Sequence, residues 1–153
     1  MKTNDVTGRY PRGMAGVALE MGRPGIGASF RDIQTVAMAL ARIGVEFEAD
    51  NPVSALMADR RTGVFREDVL EEKVLSAILE FKIENRRLKD VLLGIKDVAV
   101  RIDTVFSLGL ISRVESDGSI CVEPIAREAG FLPQPNLKTN VGLGRPLVRE
   151  GVD

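Results

Sequence analysis

The stretch that decides the predicted fold is residues 86–123, which read RRLKDVLLGI (86–95), KDVAVRIDTVFSLGLI (96–111) and SRVESDGSICVE (112–123). The first two pieces carry apolar residues at helical spacing, and the second ends in the run Leu108-Gly109-Leu110-Ile111. Two β-type runs, 110–115 and 119–123, flank a turn signal at residues 116–118. This order predicts a short helix, a turn, a second helix and a hairpin.

A longer helix is predicted immediately before this stretch. Apolar residues recur at three- and four-residue steps along residues 68–84 and form one helical stripe: Leu70, Val74, Ala77, Ile78 and Phe81. The following helices are predicted at 87–93 and 97–108, with Gly94 as the stop between them. Residues 64–125 therefore read as three helices followed by a two-stranded hairpin.

This order of elements resembles the winged helix-turn-helix superfamily, by pattern and over residues 64–125 alone. The resemblance implies that the helix at 97–108 is a recognition helix, that the hairpin is the wing, and that the module binds DNA or protein. The implied contact residues lie in or beside the recognition helix and in the wing: Lys96, Arg101, Asp103, Thr104, Ser107, Arg113 and Ser116.

The N-terminal half predicts a helical segment at 29–63. Ser29 is a candidate N-cap with Asp32 three residues on, and Gly44 is a natural stop, so a helix is predicted at 29–43. Asn51 followed by Pro52 predicts the start of a second helix, at 52–61.

The two ends of the chain predict extended arms, at 1–28 and 126–153, because both are rich in glycine and proline. The run Gly22–Ser29 has the spacing of a phosphate-binding loop, but Ala28 stands where the lysine belongs. We interpret it as a turn that leads into the capped helix. The predicted fold class is mainly α with a small β-hairpin.

The composition excludes several classes of site. The chain has no histidine, which excludes a Ser-His-Asp triad and a classical zinc finger. Cys121 is the only cysteine, so no intrachain disulfide can form, and a cytoplasmic location is expected. No apolar run reaches the roughly 18 residues of a membrane span. We therefore predict a protein that is not an enzyme, binds no cofactor or metal, and does not enter a membrane.

Two function classes remain open. Residues 64–125 carry nine basic and twelve acidic residues, a net charge of −3, whereas phosphate-dominated binding favours positive charge. The first hypothesis is a non-enzymatic regulator or adaptor that binds DNA, protein or both, as a homodimer or within a larger assembly. The alternative is a structural or assembly subunit, for example of a viral particle, whose terminal arms contact neighbouring subunits.

Overall fold

The computed structural model describes residues 9–135 as a four-stranded antiparallel sheet with helices packed against it. The helices are α1 (Phe30–Arg42), α2 (Asn85–Ala99) and α3 (Val122–Glu128). The strands are β1 (Met14–Met21), β2 (Ala28–Ser29), β3 (Glu46–Phe47), β4 (Met57–Asp59), β5 (Val64–Phe65), β6 (Lys73–Val74), β7 (Ala77–Glu84) and β8 (Phe106–Ile111). The fold is therefore mixed α/β, and the predicted class, mainly α with a small hairpin, is wrong.

The order of strands in the main sheet is β3-β7-β1-β8, and all three neighbouring pairs are antiparallel. Along the chain the main elements run β1-α1-β3-β7-α2-β8. A β-α-β-β-α-β chain with this strand order has the split β-α-β topology, also called ferredoxin-like. The segment between β3 and β7 adds the β4–β5 hairpin and β6, which pairs with β2.

The core lies between the sheet and the helices. Alternate residues of the two central strands are fully buried, for example Val17 and Leu19 on β1 and Leu79 and Phe81 on β7. Their neighbours along each strand point to the second face of the sheet, because side chains in a strand alternate. The apolar stripes of α1 and α2 cover the first face and belong to the same cluster of buried residues.

The first helix is confirmed. It occupies residues 30–42, and the Ser29 hydroxyl accepts a hydrogen bond from the backbone N–H of Asp32 at 3.1 Å. Gly44 follows with a φ of 81°, a conformation that glycine adopts without strain. The cap and the stop were both identified correctly from the sequence.

The predicted helix at 68–84 is wrong. The chain forms a short 3-10 helix at Glu67–Val69, then β6, then the eight-residue strand β7. Residues 77–84 also alternate with a period of two, so that Leu79, Phe81 and Ile83 face the core. A strand satisfies this alternation, and pairing with β1 along its whole length gives partners to the backbone groups that face β1.

The predicted helix-turn-helix is replaced by one continuous helix and a strand. Helix α2 runs through Gly94, where a side chain would overlap Ile43 of the neighbouring segment, so the glycine allows close packing and is not a helix stop. The helix ends at Ala99, and residues 106–111, predicted to end a recognition helix and begin a wing, form β8. Without a helix at 97–108, the described residues contain no recognition helix of the predicted kind.

The predicted helix at 52–61 is also wrong. Ser54–Leu56 is a 3-10 helix, and the β4–β5 hairpin follows it. The Asp59 carboxylate accepts hydrogen bonds from the Arg61 N–H and the Thr62 hydroxyl, which stabilises the turn. Gly63 lies against the backbone of α1 with no room for a side chain, so the hairpin packs on that helix.

The second wing strand, predicted at 119–123, is instead the approach to α3, which begins at Val122. The turn at 116–118 does form: Gly118 has a φ of 85°, and the Gly118 N–H donates to the Glu115 carbonyl. Pro124 lies in the first turn of α3. Backbone N–H groups in a first turn have no acceptor within the helix, so a proline there costs no helical hydrogen bond.

Part of the predicted N-terminal arm lies in the sheet. Residues 14–21 form the central strand β1, so strands from within 1–28, 29–63 and 64–125 pair in one sheet. Residues 126–128 of the predicted tail complete α3. The remainder of the two predicted arms, residues 1–8 and 136–153, lies outside the described residues.

Candidate interaction surface at the edge strand β8

Among residues 9–135, strand β8 forms one edge of the main sheet and pairs with β1 alone. Its six residues read FSLGLI and include no charge and no proline. The pairing with β1 runs from Phe106 to Ile111 without a shift in register. Proteins usually protect an edge strand with a charge, a proline or a bulge. Strand β8 has none of these three features.

The backbone direction of β8 follows from one hydrogen bond. The Gly22 N–H donates to the Val105 carbonyl at 2.8 Å, so the backbone of Val105 points towards β1. In an antiparallel ladder this direction alternates along a strand. The N–H and C=O groups of Phe106, Leu108 and Leu110 therefore point away from β1. No other backbone segment within residues 9–135 bonds to them.

The same three residues supply the apolar side chains of the edge. Phe106, Leu108 and Leu110 are half-buried against the core, on the face of the sheet that carries the helices. The opposite edge of the sheet is different, because β3 has only two residues and carries the exposed Glu46. The sheet therefore has one short, charged edge and one longer apolar edge.

The residues predicted to contact DNA or a partner do not share one surface. Lys96 lies on α2, where its ammonium donates to the Gly130 carbonyl at 3.1 Å and lies 5.0 Å from the centre of the Phe131 ring. Ser107 points to the other face of the sheet and donates to Glu20 at 3.1 Å. These two residues therefore lie on opposite sides of the sheet, Lys96 in the helical layer and Ser107 on the second face.

Three other predicted residues lie in the loop between α2 and β8. The Arg101 side chain donates to the Asp97 carbonyl, and the Asp103 N–H donates to Asp32. The Thr104 hydroxyl donates to the Gly27 carbonyl at 2.6 Å. These contacts join the loop to α2, to the start of α1 and to the turn after β1.

The last two predicted residues follow β8. The Arg113 side chain donates to the Tyr10 carbonyl at 3.0 Å, and Ser116 is exposed in the turn before α3. Of the predicted residues, Ser107 thus lies in β8 and Arg113 lies two residues beyond its end, but the residues that form the apolar edge are not among the predicted ones. An uncharged run of six residues, short enough for a strand and too short for a typical helix, is the signal that identifies them.

A second group of polar residues lies where the N-terminal segment meets β7. Glu80 is only 6% exposed, and its carboxylate accepts hydrogen bonds from the Tyr10 hydroxyl at 3.0 Å and the Asn51 amide at 3.4 Å. Arg9 forms ion pairs with Glu48 at 2.9 Å and with Glu80 at 3.5 Å. Burial raises the pKa of the Tyr10 hydroxyl, and the Glu80 carboxylate raises this pKa further.

The Tyr10 ring also fills the space above Gly16. A side chain at Gly16 would overlap both this ring and Ile111 of β8. The polar group and the ring together fasten residues 9–13 to the sheet, and Arg113 binds the Tyr10 carbonyl from the end of β8. This arrangement explains the buried carboxylate as a support for the N-terminal segment.

A groove of about 410 Å³ lies between α1 and α2 on the outer side of the helices. It carries charges of both signs, from Arg42 and Arg101 and from Asp90 and Asp97. Two basic and two acidic side chains therefore line the groove, and their formal charges sum to zero.

A metal site and a membrane-spanning helix are both absent from residues 9–135. This part of the chain contains no group of three or more histidine, cysteine, aspartate or glutamate side chains placed to hold a metal ion. Its helices are all too short or too polar to cross a membrane.

Within residues 9–135, the fold and the edge together define a split β-α-β domain with one apolar edge strand that carries no charge, proline or bulge. The chain matches no family model, no curated protein and no solved structure.

Proposed function

We propose that the protein is a non-enzymatic interaction subunit that binds another polypeptide strand along β8. The observation that carries the proposal is the edge itself, whose three outward-facing residues combine backbone hydrogen-bonding groups with apolar side chains. Adding a strand to an exposed sheet edge is a general mode of protein recognition, in which the main chain supplies affinity and alternate side chains supply specificity.

Of the two ligands that the first sequence hypothesis leaves open, DNA and protein, protein has the stronger support. The residues proposed to contact DNA lie on different surfaces, and most of them form contacts within the chain. The edge strand has no charge, which suits a polypeptide strand better than a phosphate backbone.

A labelled strand peptide tests the proposal. We expect a peptide with the sequence of residues 104–113, TVFSLGLISR, to bind the protein at low protein concentration, measured by fluorescence anisotropy. A peptide of the same composition in scrambled order is the first control. We expect Leu108→Lys to weaken binding by tenfold or more, because a charge at the edge opposes strand pairing, a change of roughly 1.4 kcal/mol or more in binding free energy.

The matched control is Leu93→Lys, the same change at a residue that is 43% exposed on α2, away from the edge. This variant is expected to bind the peptide like the wild type. Equal binding by Leu108→Lys and wild type, or no peptide binding by a wild type that is monomeric in solution, would contradict the proposed function.

A further inference from the structure

We infer that the occupant of the β8 edge is β8 of a second copy of this chain, in a two-fold dimer with one continuous eight-stranded sheet. This inference rests on the proposed function, because it names the strand that the edge binds. It follows from the sequence of β8, from the direction of its backbone groups and from the charges beyond its two ends.

The register of the dimer follows from the outward-facing backbone groups. A two-fold axis normal to the sheet makes the two β8 strands antiparallel, and opposite residues then point to the same face. With the axis at Leu108, this residue lies opposite Leu108 of the second copy. Phe106 then lies opposite Leu110 of the second copy. Every outward N–H and C=O of these residues has a partner in this register.

The side chains agree with this register on both faces. On the face that carries the helices, Leu108 meets its own copy and Phe106 meets Leu110, so the edge forms a continuous apolar row. On the other face Val105, which is 39% exposed, approaches Ile111 of the second copy. No charge enters either row, and cross-strand pairs of this kind stabilise a sheet.

Opposite charges lie just beyond the two ends of β8. The same register brings the loop that carries Asp103 of one copy and the segment that carries Arg113 of the other to the same end of the interface. The two-fold axis repeats this pair at the far end of the interface. Asp103 is exposed, and the Arg113 guanidinium is held in place by the Tyr10 carbonyl. Complementary charges at the rim favour this register over one in which like charges meet.

The mass of the full chain in solution tests the inference. We expect light scattering to give twice the chain mass of 16.7 kDa for the wild type. We expect the monomer mass for Leu108→Lys and the dimer mass for Leu93→Lys, with thermal unfolding as the check that each variant is folded. A wild type that stays monomeric at all concentrations overturns the inference, as does an unchanged dimer in a folded Leu108→Lys.

Cross-linking tests the register without a charged substitution. Directly opposed residues of a hydrogen-bonded antiparallel pair have Cα atoms about 5.5 Å apart, within the range of a disulfide. In a Cys121→Ser background, Leu108→Cys is expected to form a covalent dimer under mild oxidation, whereas Leu93→Cys is not. Equal cross-linking of the two variants contradicts the register.

The two proposals fail in different ways. If the wild type is monomeric and still binds the β8 peptide through Leu108, the proposed function stands and the second-copy inference fails. If the wild type is monomeric and binds no peptide, both fail.

Discussion

Tyr10 shows how single residues hold the N-terminal segment on the sheet. Its hydroxyl donates to the buried Glu80 carboxylate, and its ring occupies the space that Gly16 leaves open. A hydrogen bond to a charged group contributes roughly 1.5–3 kcal/mol to stability. The site favours the protonated, neutral form of the Tyr10 hydroxyl, because burial and Glu80 both raise its pKa.

The raised pKa of Tyr10 predicts a loss of stability at high pH. In the unfolded chain the hydroxyl ionises near its ordinary pKa of about 10, whereas in the folded protein it keeps its proton to a higher pH. The stabilisation is therefore complete below about pH 10 and declines above it. We expect Tyr10→Phe to lower the free energy of unfolding at neutral pH.

Urea unfolding of both proteins across the alkaline range measures this effect. The difference in unfolding free energy between wild type and Tyr10→Phe is expected to shrink as the pH rises above about 10. A difference that stays constant across this range would show that the Tyr10 hydroxyl does not couple to folding.

At the scale of elements, α1 is the helix whose ends the sequence specifies most clearly. The Ser29 hydroxyl caps the helix through the Asp32 N–H, so Ser29→Ala is expected to destabilise the protein by about 1 kcal/mol. The control is Thr35→Ala, at an outer position of the same helix where the hydroxyl bonds only to a carbonyl of the preceding turn. Chemical denaturation measures both variants, and an equal effect of the two would contradict the capping role.

Other elements were harder to predict because their patterns fit two structures. Along residues 70–83 the apolar residues satisfy a helical stripe and, from Ala77 onward, also a strand alternation. Pairing with β1, which is distant in sequence, favours the strand. Gly94 is a helix stop by local rules, yet it lies within α2, where its lack of a side chain leaves room for Ile43. Both outcomes depend on neighbours that local patterns do not contain.

The candidate site was missed for a related reason. Residues 106–108 continue the apolar spacing of α2, so the run FSLGLI was divided between a helix and a wing strand. Its role as a sheet edge depends on β1, which lies within a segment predicted to be an extended arm. The charge-free composition of the run was visible in the sequence, but its position at an edge was not.

At the scale of the whole molecule, the two edges of the sheet differ in a way that fits assembly. The β3 edge is short and carries Glu46, which discourages strand addition. The β8 edge is longer and apolar, and it is complementary to its own copy in one register. A sheet with one protected and one open edge forms a closed pair of subunits rather than a continuing fibre, because a two-fold contact uses the open edge of both copies.

The exchange of individual backbone amides with deuterated water tests this account most directly. The amides of Ser107 and Gly109 point towards β1, whereas those of Phe106, Leu108 and Leu110 point outward. At high protein concentration we predict slow exchange for all five, and on dilution or in Leu108→Lys we predict fast exchange for the outward three alone. Fast exchange of the outward amides in the concentrated wild type would contradict strand pairing at this edge, and slow exchange that persists in Leu108→Lys would show that another segment covers it.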